Sequence, residues 1–342
     1  MARILVTGGT GYIGSHTTVE LMQQGYEVTI VDNLSNSSID VLDGIAAIVG
    51  RKPEFANIDC GNFVDLDRVF KSYPDIVGVI HFAASKAVGE SVQKPLLYYR
   101  NNLNGLINVL EMMEKHGVKG LVFSSSCTVY GQPEKLPVTE ETPFAKAESP
   151  YGNTKKISEE IIQDTLRAVP TLKAIALRYF NPIGAHPSAQ IGELPNGTPN
   201  NLMPYITQTA IGIRECLSVF GNDYNTPDGT PIRDYINVVD LAKAHVAAVK
   251  HLNSAQNDKQ FDFFNIGTGK GSTVLEIVDS FERSTGVKLN YKIVGRRAGD
   301  IEKVWADTTK ANKVLGWKAE KTLDETTLSA WEWEKHLRAK SE

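Results

Sequence analysis

A tyrosine and a lysine four positions apart are the residues of this sequence best suited to proton transfer. Tyr151 and Lys155 lie in the segment SPYGNTK, where Ser149 and Pro150 are typical of the start of a helix. Residues i and i+4 share one face of a helix, and an ammonium beside a phenol favours the phenolate. The spacing therefore predicts a general base for a hydroxyl group at Tyr151. Taken alone, the same pattern is also typical of a surface pair.

A hydroxyl group is the expected third member of this site, at the end of a central strand. The apolar run Gly120–Ser124 leads into three consecutive serines, Ser124, Ser125 and Ser126. Parallel strands place their carboxyl ends at the edge of the sheet where ligands bind. The pattern alone does not decide which of these hydroxyl groups faces a substrate.

A glycine-rich loop near the N-terminus predicts a dinucleotide site. Gly8, Gly11 and Gly14 stand between an apolar run and a helical pattern, which suits a tight turn and a helix N-terminus close to a pyrophosphate. Asp32 follows 18 residues after Gly14, where an acidic residue binds ribose hydroxyl groups. Because residues 32–43 contain no arginine or lysine for a 2′-phosphate, the prediction is NAD and not NADP.

The elements that must hold these residues alternate between strands and helices. Such alternation favours an α/β protein of the Rossmann type, with a doubly wound parallel sheet, followed by a smaller mixed α/β substrate domain. The predicted strands are Arg3–Thr7, Glu27–Val31, Gly78–Phe82, Gly120–Ser124 and Ala174–Leu177. The predicted helices are Tyr12–Gln24, Leu66–Ser72, Asn104–Lys115 and Pro150–Ala168.

Composition narrows the class of protein further. The chain has 342 residues, 42% of them hydrophobic and 22% charged, with a net charge of −4, which is typical of a globular protein without a basic field for nucleic acid or lipid. Three cysteines without a C-x-x-C pair, and seven histidines without metal-ligand spacing, favour a reducing compartment and no metal site. The short apolar N-terminal run and the lack of a 20-residue apolar stretch predict a cytoplasmic, non-membrane protein.

Several longer motifs carry a resemblance to a known family. They cover nearly the whole chain and include TGGTGYIGSH, DNLSNS, HFAASKAVGESVQKPL, SPYGNTK, LRYFNPIGAHPS, PNNLMPY, FGNDY, RDYINVVDLA and RRAGD. Through these motifs the chain resembles the extended short-chain dehydrogenase/reductases, and among them the 4-epimerases of UDP-hexoses. The resemblance implies a dinucleotide-binding domain at 1–180 with a returning segment near 236–266. It implies a nucleotide-sugar domain at 181–235 and 267–342.

The resemblance also assigns roles by position. It places the catalytic groups on Ser126, Tyr151 and Lys155. It places cofactor contacts on Gly8, Gly11, Tyr12, Ile13, Gly14, Asp32, Asn33, Asn36, Ser37, Asp59, Cys60, Phe82, Lys86, Asn101, Tyr151, Lys155 and Phe180. It places substrate contacts on Ser126, Asn181, Asn201, Leu202, Phe220, Arg233, Arg297, Asp300 and Val304.

The resemblance implies that the protein is an isomerase of carbohydrate and galactose metabolism. UDP-galactose and UDP-glucose would interconvert through a transient 4-keto sugar on tightly bound NAD, and Val304 would leave room for the N-acetylated sugars UDP-GlcNAc and UDP-GalNAc. The alternatives are another enzyme of the superfamily, such as a 4,6-dehydratase or a decarboxylase, and a non-catalytic NAD-sensing protein. A dehydratase would place an Asp-Glu pair after the catalytic hydroxyl, where this chain has Cys127 and Thr128.

The resemblance also implies a homodimer, and two apolar stripes in the sequence suit that assembly. Leu103, Leu106, Ile107, Leu110 and Met113 recur with helical spacing, as do Ile157, Ile161, Ile162 and Leu166. In the family these helices pair across a two-fold axis as a four-helix bundle. Packing within the core of one chain would explain the same stripes.

Overall fold

The computed structural model describes residues 2–297 and 300–339. Seven parallel strands form the main sheet: β1 (Arg3–Thr7), β2 (Glu27–Asp32), β3 (Glu54–Asn57), β4 (Ile76–His81), β5 (Gly120–Ser124), β6 (Lys173–Tyr179) and β11 (Phe261–Ile266). Their order across the sheet is β11-β6-β5-β4-β1-β2-β3. The predicted fold class is confirmed.

Helices cover both faces of this sheet. The helices are α1 (Tyr12–Gln23), α2 (Val41–Val49), α3 (Phe63–Ser72), α4 (Val88–Gln93), α5 (Pro95–His116), α6 (Pro150–Ala168), α7 (Leu202–Ala210), α8 (Val238–Leu252), α9 (Val274–Thr285), α10 (Thr309–Val314) and α11 (Leu323–Ala339), with a short 3₁₀ helix at Cys127–Tyr130.

Side chains of the sheet alternate between two cores. In β1, Ile4 and Val6 pack with residues of α1 and α8, whereas Leu5 packs with residues of α3, α5 and α6. Successive side chains of a strand point to opposite faces, so an unbroken apolar run serves both cores. Strand β1 lies between β2 and β4, so the strand order reverses at this point. Such a reversal opens a crevice at the carboxyl ends of these strands.

The second half of the chain adds small sheets and a third core. The strands are β7 (Asn181–Ile183), β8 (Leu217–Phe220), β9 (Ile232–Arg233), β10 (Tyr235–Asn237), β12 (Ser272–Thr273), β13 (Tyr291–Val294) and β14 (Lys303–Val304). They pair as β7 with β10, β8 with β13, and β9 with both β12 and β14. Residues of α7, α9 and α11 form the core beside them. None of the helices described is long and apolar enough to cross a membrane.

The predicted boundaries are correct where local signals are strong. Strands β1 and β5 and helix α6 have the predicted limits, whereas the third predicted strand begins at Ile76 and ends at His81. Helix α5 begins at Pro95, nine residues before the predicted start. Strands β3 and β11 were not predicted as strands, although β11 lies in the returning segment and pairs with β6.

Candidate active site

Three predicted catalytic side chains meet at the carboxyl end of β5. Ser126 caps the N-terminus of the 3₁₀ helix that follows this strand, while Tyr151 and Lys155 occupy the first two turns of α6. Ser149 caps α6, because its Oγ accepts a hydrogen bond from the Gly152 N–H at 3.1 Å. The side chains of Ser126, Tyr151 and Lys155 are all buried.

The hydroxyl group of Ser126 is oriented by its neighbours. Its Oγ accepts hydrogen bonds from the backbone N–H of Thr128 at 3.2 Å and from the Thr128 hydroxyl at 3.0 Å. Both acceptor positions of a hydroxyl oxygen are then used, which leaves its O–H to donate. Ser126 is also a neighbour of Tyr151 and acts to lower the pKa of that phenol.

Lys155 does not have the predicted effect on the pKa of Tyr151. Burial, followed by the nearby Tyr179, raises the pKa of Tyr151, although Ser126 opposes the change. The Lys155 ammonium lies 5.9 Å from the centre of the tyrosine ring and donates to the Ser124 carbonyl at 2.6 Å. Burial lowers the pKa of Lys155 to about 8, with Glu159 acting in the opposite direction. The predicted fall in the pKa of Tyr151 is therefore wrong, because desolvation by burial is the largest influence on this phenol.

The glycine loop has the shape that a dinucleotide requires. A Cβ atom on Gly8 would lie 2.8 Å from the Ala83 nitrogen, and one on Gly14 would lie 2.2 Å from the Gly8 carbonyl oxygen. Gly8 also has a φ of 72°, in the left-handed region that favours glycine. Gly11 precedes α1 without a side-chain cap, so backbone N–H groups at this helix end are available to a phosphate. These residues fit a dinucleotide.

Asp32 ends β2 beside this loop. Its carboxylate accepts from the backbone N–H groups of Thr10 at 3.2 Å and Leu34 at 2.9 Å, and from the Ser37 hydroxyl at 3.3 Å. A carboxylate offers about four acceptor positions, so one remains for a ribose hydroxyl group. Asn33 is tied to Asp59 by a hydrogen bond of 3.0 Å.

The other predicted cofactor residues lie around the same crevice in varied surroundings. The Tyr12 hydroxyl donates to the Gly184 carbonyl at 2.6 Å, and Asn101 donates to the Ser85 hydroxyl at 3.1 Å. Lys86 is exposed and lies 3.9 Å from Glu193. The remaining positions comprise the exposed Asn36, the partly buried Ile13 and Phe82, and the buried Cys60 and Phe180.

The predicted substrate residues form two groups. In the first, Arg297 contacts Asp300 at 2.7 Å and faces the Phe220 ring at 5.8 Å, while Arg233 lies 3.9 Å from Asp300. Val304 is paired with Arg233 between β14 and β9. In the second group, which precedes these residues in the chain, Asn201 donates to Glu193 at 2.6 Å, Leu202 begins α7, and the Asn181 N–H donates to the Asp234 carbonyl at 2.9 Å.

Sequence reasoning missed two acidic residues near these positions. Glu193 contacts Lys86 and Asn201, one predicted for the cofactor and the other for the substrate. Glu159, on the same helix as Tyr151 and Lys155, pairs with Arg178 on β6. The spacing of four residues from Lys155 was a signal for Glu159, whereas Glu193 lies in an irregular segment without such a signal.

Other chemically suggestive residues are structural. Burial lowers the pKa of His16 and of His81 to about 3, and each ring is hydrogen-bonded, to the Tyr12 carbonyl and the Thr7 hydroxyl respectively. Burial raises the pKa of Cys127 to about 12, so this thiol is a poor nucleophile. Within residues 2–297 and 300–339, no group of three His, Cys, Asp or Glu side chains could hold a metal ion.

The sheet, the glycine loop and the Ser–Tyr–Lys group define an extended short-chain dehydrogenase/reductase. A family model described as GDP-mannose 4,6 dehydratase matches residues 5–329. The UDP-glucose 4-epimerase of Dictyostelium discoideum is 52% identical over 97% of this chain and 95% of its own length, and that of Bacillus subtilis is 52% identical over 97% and 96%. The chain is also similar to the crystal structure of the Bifidobacterium longum UDP-glucose 4-epimerase in complex with NAD+ and UDP. The TM-score is 0.93, with 46% identity and 98% of both chains covered. The chain belongs to the UDP-glucose 4-epimerase family.

Proposed function

We propose that this enzyme is an isomerase that interconverts UDP-galactose and UDP-glucose. The observation that carries the proposal is the meeting of Ser126, Tyr151 and Lys155 beside a fitting dinucleotide loop. These residues belong to a chain that is 52% identical to two UDP-glucose 4-epimerases over 97% of its length. A 4-epimerase must invert a carbon that carries no acidic proton, and transient oxidation to a 4-keto sugar is the route available to this family.

NAD is the cofactor of the proposed reaction, and it supplies the acceptor and donor of hydride when bound. Gly8, Gly11 and Gly14 would hold its pyrophosphate at the start of α1, and Asp32 would hold the adenosine ribose. A negatively charged Asp32 repels a 2′-phosphate, which supports NAD over NADP. Tyr12, Ile13, Asn33, Asn36, Ser37, Asp59, Cys60, Phe82, Lys86, Asn101 and Phe180 are the further contacts we assign to it.

Tyr151 takes the proton of the sugar 4-hydroxyl in this proposal. It is a neighbour of Ser126, whose own O–H is directed by Thr128, so both groups can reach one substrate oxygen. Positive charge is needed nearby because burial opposes the phenolate, and Lys155 is the buried cation on the same helix face. Returning the proton from the same pair completes either direction of the reaction.

The nucleotide is held by the second half of the chain. Arg233 and Arg297 are suited to a diphosphate, because each guanidinium is a fork of donors, and they are already close to the same carboxylate, Asp300. Phe220 offers an exposed ring for the uracil. Asn181, Asn201 and Leu202 are the further substrate contacts we assign. The division of the chain into a dinucleotide-binding domain (1–180, with a returning segment near 236–266) and a nucleotide-sugar domain (181–235 and 267–342) remains a prediction.

A homodimer is the proposed assembly, and the cytoplasm the proposed location. Helices α5 and α6 pack together and leave Leu103, Ile107, Ile157 and Ile161 partly exposed on them. Partly exposed apolar residues on neighbouring helices provide the face that a four-helix bundle needs. The three cysteines are free thiols, which supports a reducing compartment.

The test is an assay of the purified chain with each UDP-hexose and no added cofactor. Conversion of UDP-galactose to UDP-glucose, and the reverse, is expected, together with release of NAD on denaturation. A preparation that contains NAD but converts neither sugar would refute the proposed function and favour an NAD-binding protein without catalysis.

A further inference from the structure

A fully buried carboxylate lies directly behind the proposed catalytic groups. Glu159 is on α6, four residues after Lys155, and its side chain has no exposed surface. Its Oε1 accepts from the Ser125 hydroxyl at 2.5 Å and from Arg178 Nε at 3.0 Å, and its Oε2 accepts from Arg178 Nη2 at 2.6 Å. A buried charge is costly unless it is paired, and here the pairing is bidentate.

The bond to Ser125 connects this carboxylate to the reacting groups. Ser125 stands between Ser124, whose carbonyl accepts from Lys155, and Ser126, which is a neighbour of Tyr151. A shift of Ser125 would therefore move the acceptor of one catalytic group and the backbone of another. Glu159 thus ties the end of β5 to the helix that carries Tyr151 and Lys155.

Arg178 fixes the carboxylate from the neighbouring strand. It lies on β6, donates to the Tyr130 hydroxyl at 2.9 Å, and stacks over the Phe263 ring with its Cζ 4.0 Å from the centre. Tyr130 in turn donates to Asn265 at 2.7 Å, and Tyr130 ends the 3₁₀ helix that Ser126 caps. The network consequently joins β5, β6, β11, α6 and the 3₁₀ helix around one ion pair.

The charge of Glu159 also acts on Lys155. Burial lowers the pKa of Lys155 to about 8, and Glu159 is the charged group that opposes this change. The other titratable groups facing the ammonium are Tyr151 on α6 and His81 on β4, which is neutral because burial lowers its pKa to about 3. Arg178 is paired with Glu159, which offsets its charge.

We infer that Glu159 is a positioning residue for the epimerase reaction, which holds Ser126 and Lys155 in their working arrangement and places a negative charge near Lys155. The inference rests on the proposed function. Neither Glu159 nor Arg178 needs to touch the sugar or the dinucleotide in this role. Their effect passes through Ser125 and through the electrostatic field at Lys155.

The test replaces the carboxylate by an amide of the same shape. Glu159→Gln is expected to lower kcat on the order of 10²-fold, because small displacements of reacting groups have effects of that size. The binding of UDP, measured by calorimetry, should not change, since Phe220, Arg233 and Arg297 lie on other elements. The alkaline limb of the kcat–pH profile should move to lower pH by about one unit, because loss of a nearby negative charge favours the neutral amine.

Two further variants separate position, charge and simple destabilisation. Ser125→Ala removes the link but keeps the carboxylate, so kcat should fall at least about tenfold with the alkaline limb in place. Glu334→Gln is the matched control, since Glu334 is also buried, accepts from an arginine fork (Arg338) and accepts from a hydroxyl group (Thr207). It should lower the melting temperature and leave kcat and the pH profile unchanged.

The outcomes decide between the claims. An inactive wild-type chain would refute the proposed function, and the inference with it. An active wild type together with a folded Glu159→Gln protein of unchanged kcat and pH profile would overturn the inference alone. If the glutamine variant does not fold, Ser125→Ala decides, and an unchanged kcat in that variant would overturn it.

Discussion

Replacing Tyr151 by phenylalanine isolates the hydroxyl group that we propose as the base. The ring stays within a buried site, 8% exposed, and what is lost is one hydroxyl group. Loss of a hydrogen-bonding group in a buried site costs about 1 kcal/mol of stability, and up to about 3 kcal/mol if a buried partner is left unpaired. Loss of a general base costs about 10²–10⁴-fold in rate, or about 3–5 kcal/mol of transition-state stabilisation.

The loss of stability and the loss of catalytic rate are measured separately. Turnover of UDP-galactose should fall by the stated factor, while the melting temperature falls by only a few degrees and NAD is still recovered from the denatured protein. Tyr73→Phe is the control, because it deletes a phenol hydroxyl with one hydrogen bond, to Glu54 at 3.2 Å, at the opposite end of the sheet's strands. Turnover of the Tyr151→Phe protein within tenfold of the wild type would contradict the assignment of the base.

Three further predictions concern the cofactor, the substrate range and the assembly. Mass spectrometry of the dinucleotide released from the purified protein should show NAD, and recovery of mainly NADP would overturn the role of Asp32. Val304 is buried beside Phe180, so Val304→Tyr should fill the space proposed for an N-acetyl group and lower turnover of UDP-GlcNAc at least about tenfold relative to UDP-glucose. No UDP-GlcNAc turnover in the parent, or undiminished turnover in the variant, would exclude that role. Light scattering should give a dimer mass, and Ile107→Glu should reduce it to a monomer mass, since Ile107 is 38% exposed on α5. A monomeric parent at micromolar concentration would rule out the dimer.

Local signals explain what could be predicted from the sequence. Ser149 and Pro150 fixed the start of α6, and the glycines fixed the turn into α1, because caps and left-handed residues act through atoms only a few positions apart. The same holds for β1 and β5, whose apolar runs are bounded by turn residues. These short-range rules were sufficient to place Tyr151 and Lys155 on one helix face.

The buried network could not be predicted, because its partners are distant in sequence. Arg178 lies 19 residues after Glu159, and Asn265 lies 135 residues after Tyr130. The rise in the pKa of Tyr151 could not be predicted for a related reason. Desolvation depends on every element packed around a side chain, whereas the sequence showed only the lysine one turn away.

The contrast between the two halves of the site matches what the reaction demands. Ser126, Tyr151 and Lys155 are 4–8% exposed, whereas Phe220 is 40% exposed and the Arg297 side chain 58% exposed. Exposed side chains can be ordered by a nucleotide when it binds, at a cost of about 0.5–1.5 kcal/mol each. The buried groups need no such ordering. A fixed proton acceptor can therefore serve either epimer, provided that the nucleotide is held while the hexose turns to present its other face.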